Sequence, residues 1–207
     1  MAEIAEIRKL VDIIYESIED KADYLGELDG KSGDGDLGLS MKAAFRAIKN
    51  SVDSSLGDDL GKTMMEAAIA CNKAAPSTMG TLISAGLMNT ARVLKGKNIL
   101  TDKDIIRIPR LFADGIMQRG KAKLGDKTIL DALVPMAETA EMAFSSGVSI
   151  EEAFLQAAEK ARESAEKTAG MKANVGRAHW LGDRAAAYPD GGAMLCAIVA
   201  NAVVKKY

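Results

Sequence analysis

Apolar side chains recur along this chain at spacings of three and four. Ile4, Ile7, Val11, Ile14, Ile18, Ala22 and Leu25 form one such stripe, which predicts an amphipathic helix ending near Gly26. Similar stripes run through Met41, Ala44, Phe45, Ile48 and Val52, through Leu60, Met64, Ala67, Ala68 and Cys71, and through Leu82, Ile83, Gly86, Leu87 and Leu94. Helix starts are marked by Thr101 ahead of Asp102 and Asp104, and by Ser149 with Glu152, which reads as a capping box. In the helix expected from Ile150 to about Lys167, Ala153, Ala157, Ala161 and Ala165 form a small-residue stripe that permits close packing. Pro109 and Pro135 are expected to bend or offset two of the other helices. No alternating Val, Ile and Thr runs are bounded by hairpin turns, so the pattern predicts an all-α fold of about eight helices.

Length and charge narrow the setting. The chain has 207 residues, shows no internal repeat and no Pro/Ser/Gly-rich linker, and so is expected to form a single domain over 1–207. Lys and Arg number 27 against 29 Asp and Glu, which leaves no cationic surplus for nucleic acid or an anionic membrane surface. The charge-free stretch Gly191 to Val204 is shorter than the roughly 20 residues of a membrane-spanning helix and reads as a buried helix instead. Glu3 and Glu6 stand where a signal peptide would be basic, and a cytoplasmic location is expected. Cys71 and Cys196, both in apolar helical context, are expected to be reduced packing residues.

Glycine and aspartate gather between the helices. Asp29, Asp34 and Asp36 fall in a glycine-rich segment just ahead of a helical stripe. Carboxylates crowded in this way repel one another unless a cation neutralises them, and hard oxygen ligands suit Mg2+ or Ca2+. An EF-hand is excluded, because the twelfth position counted from Asp34 is Phe45 rather than glutamate. The pair Asp58-Asp59 lacks the later acid of the helical prenyl synthases. Gly115 to Ala122 has the glycine and lysine spacing of a P-loop, but it ends in Ala122 where Ser or Thr must ligate Mg2+, and no strand precedes it.

Three further polar segments stand out. Pro76 to Thr81 opens a helix whose free amides could hold phosphate oxygens, or whose Ser77 or Thr78 simply caps it. Gly120 to Thr128 reads as a basic, exposed and flexible link. Gly176 to Arg184, with Pro189 to Ala193 beyond it, holds the only His and Trp of the chain. There Arg177, flanked by glycine, is the better candidate for approaching a phosphate, and His179 reads first as a packing or surface residue.

Taken together, Gly33-Asp-Gly-Asp-Leu-Gly38 followed by Met41, Gly120 to Thr128 with Asp131 and Pro135, and Gly176-Arg-Ala with Leu181-Gly182 and Asp190 to Ala193 carry a resemblance. Over essentially its whole length the chain resembles the L-subunit family of the dihydroxyacetone kinases, also called the DhaL or DAK2 domain. The resemblance implies an antiparallel eight-helix barrel, closed at one end, with ADP or ATP and two Mg2+ ions in the loops at the other. It assigns Asp29, Asp34 and Asp36 to the metal ions, and Leu37, Gly38, Leu39, Ser40, Thr78 and Met79 to the phosphates. Gly120, Ile129, Arg177, Asp190, Gly191 and Gly192 would enclose the nucleotide. Several positions depart from the common family pattern: Leu37 stands in place of His, Met79 of Ser, Gly191 of Pro and His179 of Ser.

The chemistry so implied is phosphoryl transfer, driven by positioning and by neutralisation of charge on the transferred group, with Asp29, Asp34, Asp36 and Arg177 as the catalytic set. A separate K subunit would hold the short ketose, and a homodimer is compatible with the pattern. In one branch of the family a phosphohistidine carrier protein of the phosphotransferase system recharges a resident ADP, and in others free ATP exchanges. The alternative is a regulatory module that keeps its nucleotide without transferring phosphate. Retention of all three acids favours the kinase. Acids at Asp29 to Asp36 and cations at Lys121, Lys123, Lys127 and Arg177 are expected to surround one polyphosphate.

Overall fold

The computed structural model describes residues 1–57 and 59–206, with the side chains of Arg177, Leu181, Asp183 and Arg184 outside that description. The order of elements is α1 (Ile4–Asp20), α2 (Ala22–Gly30), α3 (Leu37–Ser54), α4 (Leu60–Ala74), α5 (Thr78–Leu94) and α6 (Asp102–Gly120). It continues with α7 (Leu130–Ser145), α8 (Ile150–Lys167), the short α9 (Gly176–Leu181) and α10 (Asp183–Ala186), and α11 (Gly191–Val204). Among the described residues the only β pairing is an isolated bridge between Ala2 and Leu100.

Long helices pack in sequence order, α3 on α4, α4 on α5, and so on to α8, which packs on α11. Helix α1 then lies between α11 and α3, so the succession closes into a ring. The stripes read from sequence form its interior: Ile18, Leu25, Met41, Ala44, Phe45 and Cys71 are all buried there. Ala153, Ala157, Ala161 and Ala165 have no exposed surface, and their small side chains let α8 approach α7 and α11. The two thiols are buried, and desolvation pushes Cys71 up to about 11 and Cys196 up to about 12, as suits inert packing groups.

Local differences from the sequence reading have physical causes. The first stripe is split at Lys21 into α1 and α2, and helix continues past Gly26 to Gly30. Gly26 is not a stop: it lies within α2, beside the carbonyl of Gly35. At Ser149 the hydroxyl accepts from the Glu152 amide, but the reciprocal half of the box is missing because Glu152 accepts from Gln156 instead. The full reciprocal arrangement occurs at Thr101 and Asp104. Pro109 and Pro135 lie inside α6 and α7.

Candidate functional site

Four helices of the ring, α3, α5, α7 and α11, begin at the same end. Glycines at the head of α11 mark where they meet. A Cβ on Gly191 would lie 2.7 Å from Leu37 at the start of α3. One on Gly192 would lie 2.6 Å from Met79 in the first turn of α5 and 3.3 Å from Ile129, which precedes α7. Gly192 therefore sits where no other residue fits without displacing a neighbour. Helix starts present unpaired amides and the positive end of the helix dipole, so their convergence favours a multiply charged anion.

The acidic loop between α2 and α3 lies at this end too, because α2 ends there and α3 begins there. Asp29 organises it: its Oδ2 accepts from the Gly35 amide at 2.9 Å, and its backbone carbonyl accepts from Ser32 and Gly33. Gly33 has no room for a side chain, since a Cβ would come 2.5 Å from Asp29 Oδ1. Gly35 takes a left-handed φ of +77°, which glycine alone adopts without strain. Asp36 occupies the N-cap position of α3 yet makes no capping bond with its side chain. Carboxylate oxygens of Asp29, Asp34 and Asp36 consequently approach within 4.8 Å of one another. Such a hard, all-oxygen donor set fits Mg2+.

The second phosphate candidate also behaves as a helix start. Ser77 is the N-cap of α5 and accepts from the Gly80 amide at 3.1 Å, which leaves Thr78 and Met79 as the first helical residues. Gly38 and Ser40 belong to the first turn of α3, and Leu39 beside them turns its side chain outward, 76% exposed. Gly120 closes α6 next to Leu82 of α5. Arg177 lies in α9, and its side chain is outside the described residues.

The segment from Gly120 to Thr128 is mostly exposed, as expected, as far as Gly125, but not beyond it. Asp126 and Lys127 are buried. Asp126 accepts from the Lys123 amide and from Asn174, and these bonds, the amide first, hold its carboxyl below the usual range. Asp131 accepts from the amides of Gly125 and Thr128 at 2.6 and 2.7 Å, fixing the turn from both sides. The signal for this was present, since Thr128 and Asp131 have the spacing of a capping box. Lys127, expected among the cations around a polyphosphate, spends its ammonium on backbone: its Nζ donates to the carbonyls of Ala185 and Tyr188, both at 2.8 Å, and desolvation lowers its pKa. Lys121 and Lys123 are exposed.

Asp190 caps α11 by accepting from the Ala193 amide at 2.8 Å, while its own amide donates to Thr168 at the end of α8. Burial pushes its carboxyl up to about 6, with Asp131 adding to the shift and Lys127 opposing it. His179 is exposed, its Nδ1 3.0 Å from the Ala173 carbonyl and its ring edge-on to Trp180. Gly115 to Gly120 forms the last turns of α6, so the P-loop spacing there is a coincidence of helical residues. Asp59 caps α4, and Asp58 lies outside the described residues. An apolar cavity of about 240 Å3 inside the ring, lined among others by Ile14, Phe45, Phe112 and Phe154, offers no charged partner and is not this site.

The ring and this end of it together define a class: an all-α domain whose helix starts and acidic, glycine-rich loop converge at one end. The DAK2 domain family matches residues 31–205, and the chain belongs to that family. It is 30% identical to the ADP-binding subunit DhaL of the PEP-dependent dihydroxyacetone kinase of Escherichia coli K12, over 84% of this chain and 82% of that protein. It is 32% identical to an L-erythrulose kinase of Pectobacterium atrosepticum over 86% of this chain, but spans only 31% of that longer protein. The C. freundii dihydroxyacetone kinase, solved in complex with AMP-PNP and Mg2+, has the same fold over 100% of this chain and 34% of its own, with a TM-score of 0.74 at 21% identity. No helix among the described residues is long and apolar enough to cross a membrane.

Proposed function

We propose that residues 1–207 act as one nucleotide-binding domain, the phosphoryl-transfer subunit of a kinase for dihydroxyacetone or a related short ketose. The observation that carries this reading is the approach of Asp29, Asp34 and Asp36 to within 4.8 Å at the end of the ring where four helix starts meet. Similarity to an ADP-binding subunit, and to a kinase solved with AMP-PNP and Mg2+, supports the same reading. The three aspartates would hold a pair of Mg2+ ions, which when bound neutralise charge on the phosphoryl oxygens. Amides of Leu37, Gly38, Leu39, Thr78 and Met79, with Ser40 in the same turn, would orient the phosphates, and Gly120, Ile129 and Asp190 to Gly192 would wall the nucleotide. Arg177 would stabilise charge on the transferred group.

The acceptor hydroxyl would be presented by a separate ketose-binding K subunit, in the cytoplasm. The test is to mix the purified chain with a candidate K subunit, dihydroxyacetone, and either ATP or a phosphohistidine carrier protein of the phosphotransferase system, and to measure ketose phosphate. Product with one of the two donors is expected, and native mass spectrometry showing resident ADP would assign the carrier-linked branch. Absence of product with both donors, while nucleotide stays bound, would overturn the kinase in favour of a regulatory module.

A further inference from the structure

Between α8 and α11 the chain runs through α9 and α10, where among the described residues Ala173 and Ala185 are buried and Trp180 is 86% exposed. Among the described residues, few bonds tie this stretch down. Gly170 donates to the Ala186 carbonyl within it. Asn174 reaches the loop ahead of α7 through its amide to the Asp126 carbonyl, and through its side chain to Asp126 Oδ1 at 3.2 Å. Two lysines also hold it: the Lys127 ammonium donates to the carbonyls of Ala185 and Tyr188, and the Lys31 ammonium lies 4.8 Å from the centre of the Tyr188 ring.

Lys127 is only 2% exposed, and desolvating an ammonium is costly unless its donors are satisfied. It also adopts a left-handed φ of 60°, uncommon for a residue with a side chain. Both costs are met at a position two residues ahead of Ile129, and the carbonyls it grips lie just ahead of Asp190, which caps α11. One side chain therefore joins the two loops that reach Gly192.

We propose that Lys127 is a positioning residue that holds the α9–α10 segment against the loop ahead of α7 and thereby sets the residence time of a nucleotide bound at the mouth of the ring. The inference rests on the nucleotide reading above and deepens it. The Lys127 ammonium is spent on backbone carbonyls, so it acts on release, through opening of the segment, rather than on encounter.

The experiment uses the full chain with Mg2+ and a fluorescent N-methylanthraniloyl ADP, chased with unlabelled ADP, together with each variant's melting temperature. In Lys127→Met, release is expected to accelerate by about tenfold or more, equivalent to ~1.4 kcal/mol, with the association rate constant unchanged. Asn174→Ala, at an exposed residue, should accelerate release less, and it keeps the test open if the first variant does not fold. Wild-type release rates in the folded variants would overturn the proposal. A wild-type chain that binds no labelled ADP would instead overturn the nucleotide reading, and this inference with it.

Discussion

Gly38 in the first turn of α3 lies against the Ala22 carbonyl of α2 so closely that a Cβ on Gly38 would overlap that oxygen. The backbones of the two helices that flank the acidic loop are thus in direct contact. Gly38→Ala must push α3 away and carry Asp36 with it, away from Asp29 and Asp34. Overpacking of this kind costs about 1 to 3 kcal/mol. Denaturant unfolding should show that loss, and calorimetry a weaker Mg2+-dependent affinity for ADP. Gly57→Ala, where a Cβ would meet nothing within 4 Å, serves as the control and should change stability by less than about 0.5 kcal/mol.

Asp34→Ala removes a carboxylate from the acidic cluster but nothing from the buried core, because Asp34 is exposed in the loop. Mg2+-dependent nucleotide affinity should fall by at least about 10-fold, the lower range seen even for partners one shell removed from a metal. Far-ultraviolet circular dichroism should be unchanged. Equal affinity for Mg2+-ADP in the variant would remove Asp34 from the metal site.

Gly192→Ala separates the site from the fold. Its new methyl would press on Met79 Cε, the far end of a flexible side chain, and more gently on Asp190 and Ile129. Met79 can swing away at small cost in stability, but only within the mouth where the helix starts meet. Nucleotide binding is expected to weaken while the melting temperature stays near that of the parent. A variant that binds ADP normally would show that Gly192 is not part of the nucleotide wall.

Asp190 gives the pH prediction. Its folded carboxyl, pushed up to about 6 by burial, lies above the ordinary value of 3.8, so the folded state binds the extra proton. Stability from this group is therefore greatest below about pH 4 and is lost as pH rises toward about 6. Asn caps helices as well as Asp does and carries no charge. Asp190→Asn should gain stability relative to the parent between pH 4 and pH 7, by on the order of 1 to 3 kcal/mol. Urea unfolding of both proteins at the two pH values would check it, and a gap that does not change with pH would refute the shift.

Helical class, the extents of α8 and α11, the start of α6 and the acidic cluster were legible in the sequence because each depends on near neighbours. Apolar spacing reports which face of a helix is buried, and Asp29, Asp34 and Asp36 lie close enough in sequence that one glycine-rich turn can gather them. The break at Lys21 was not legible, since Ala22 and Leu25 continue the stripe across it and stay buried on both sides. Nor was the continuation of helix past Gly26 to Gly30.

Lys127 shows the limit most clearly. A lysine in a Gly-Asp-Lys-Thr segment has the sequence signature of a solvated loop cation, and a cation near a polyphosphate was the natural reading. Its actual partners are backbone carbonyls 58 and 61 residues further along, groups that every residue possesses and that no side-chain pattern announces. Local sequence determined that this chain forms amphipathic helices and an acid-bearing turn. Only closure of the ring decided which loops meet at one end of it, because that depends on where α8 returns the chain to α11 and on which buried donors the meeting loops must satisfy.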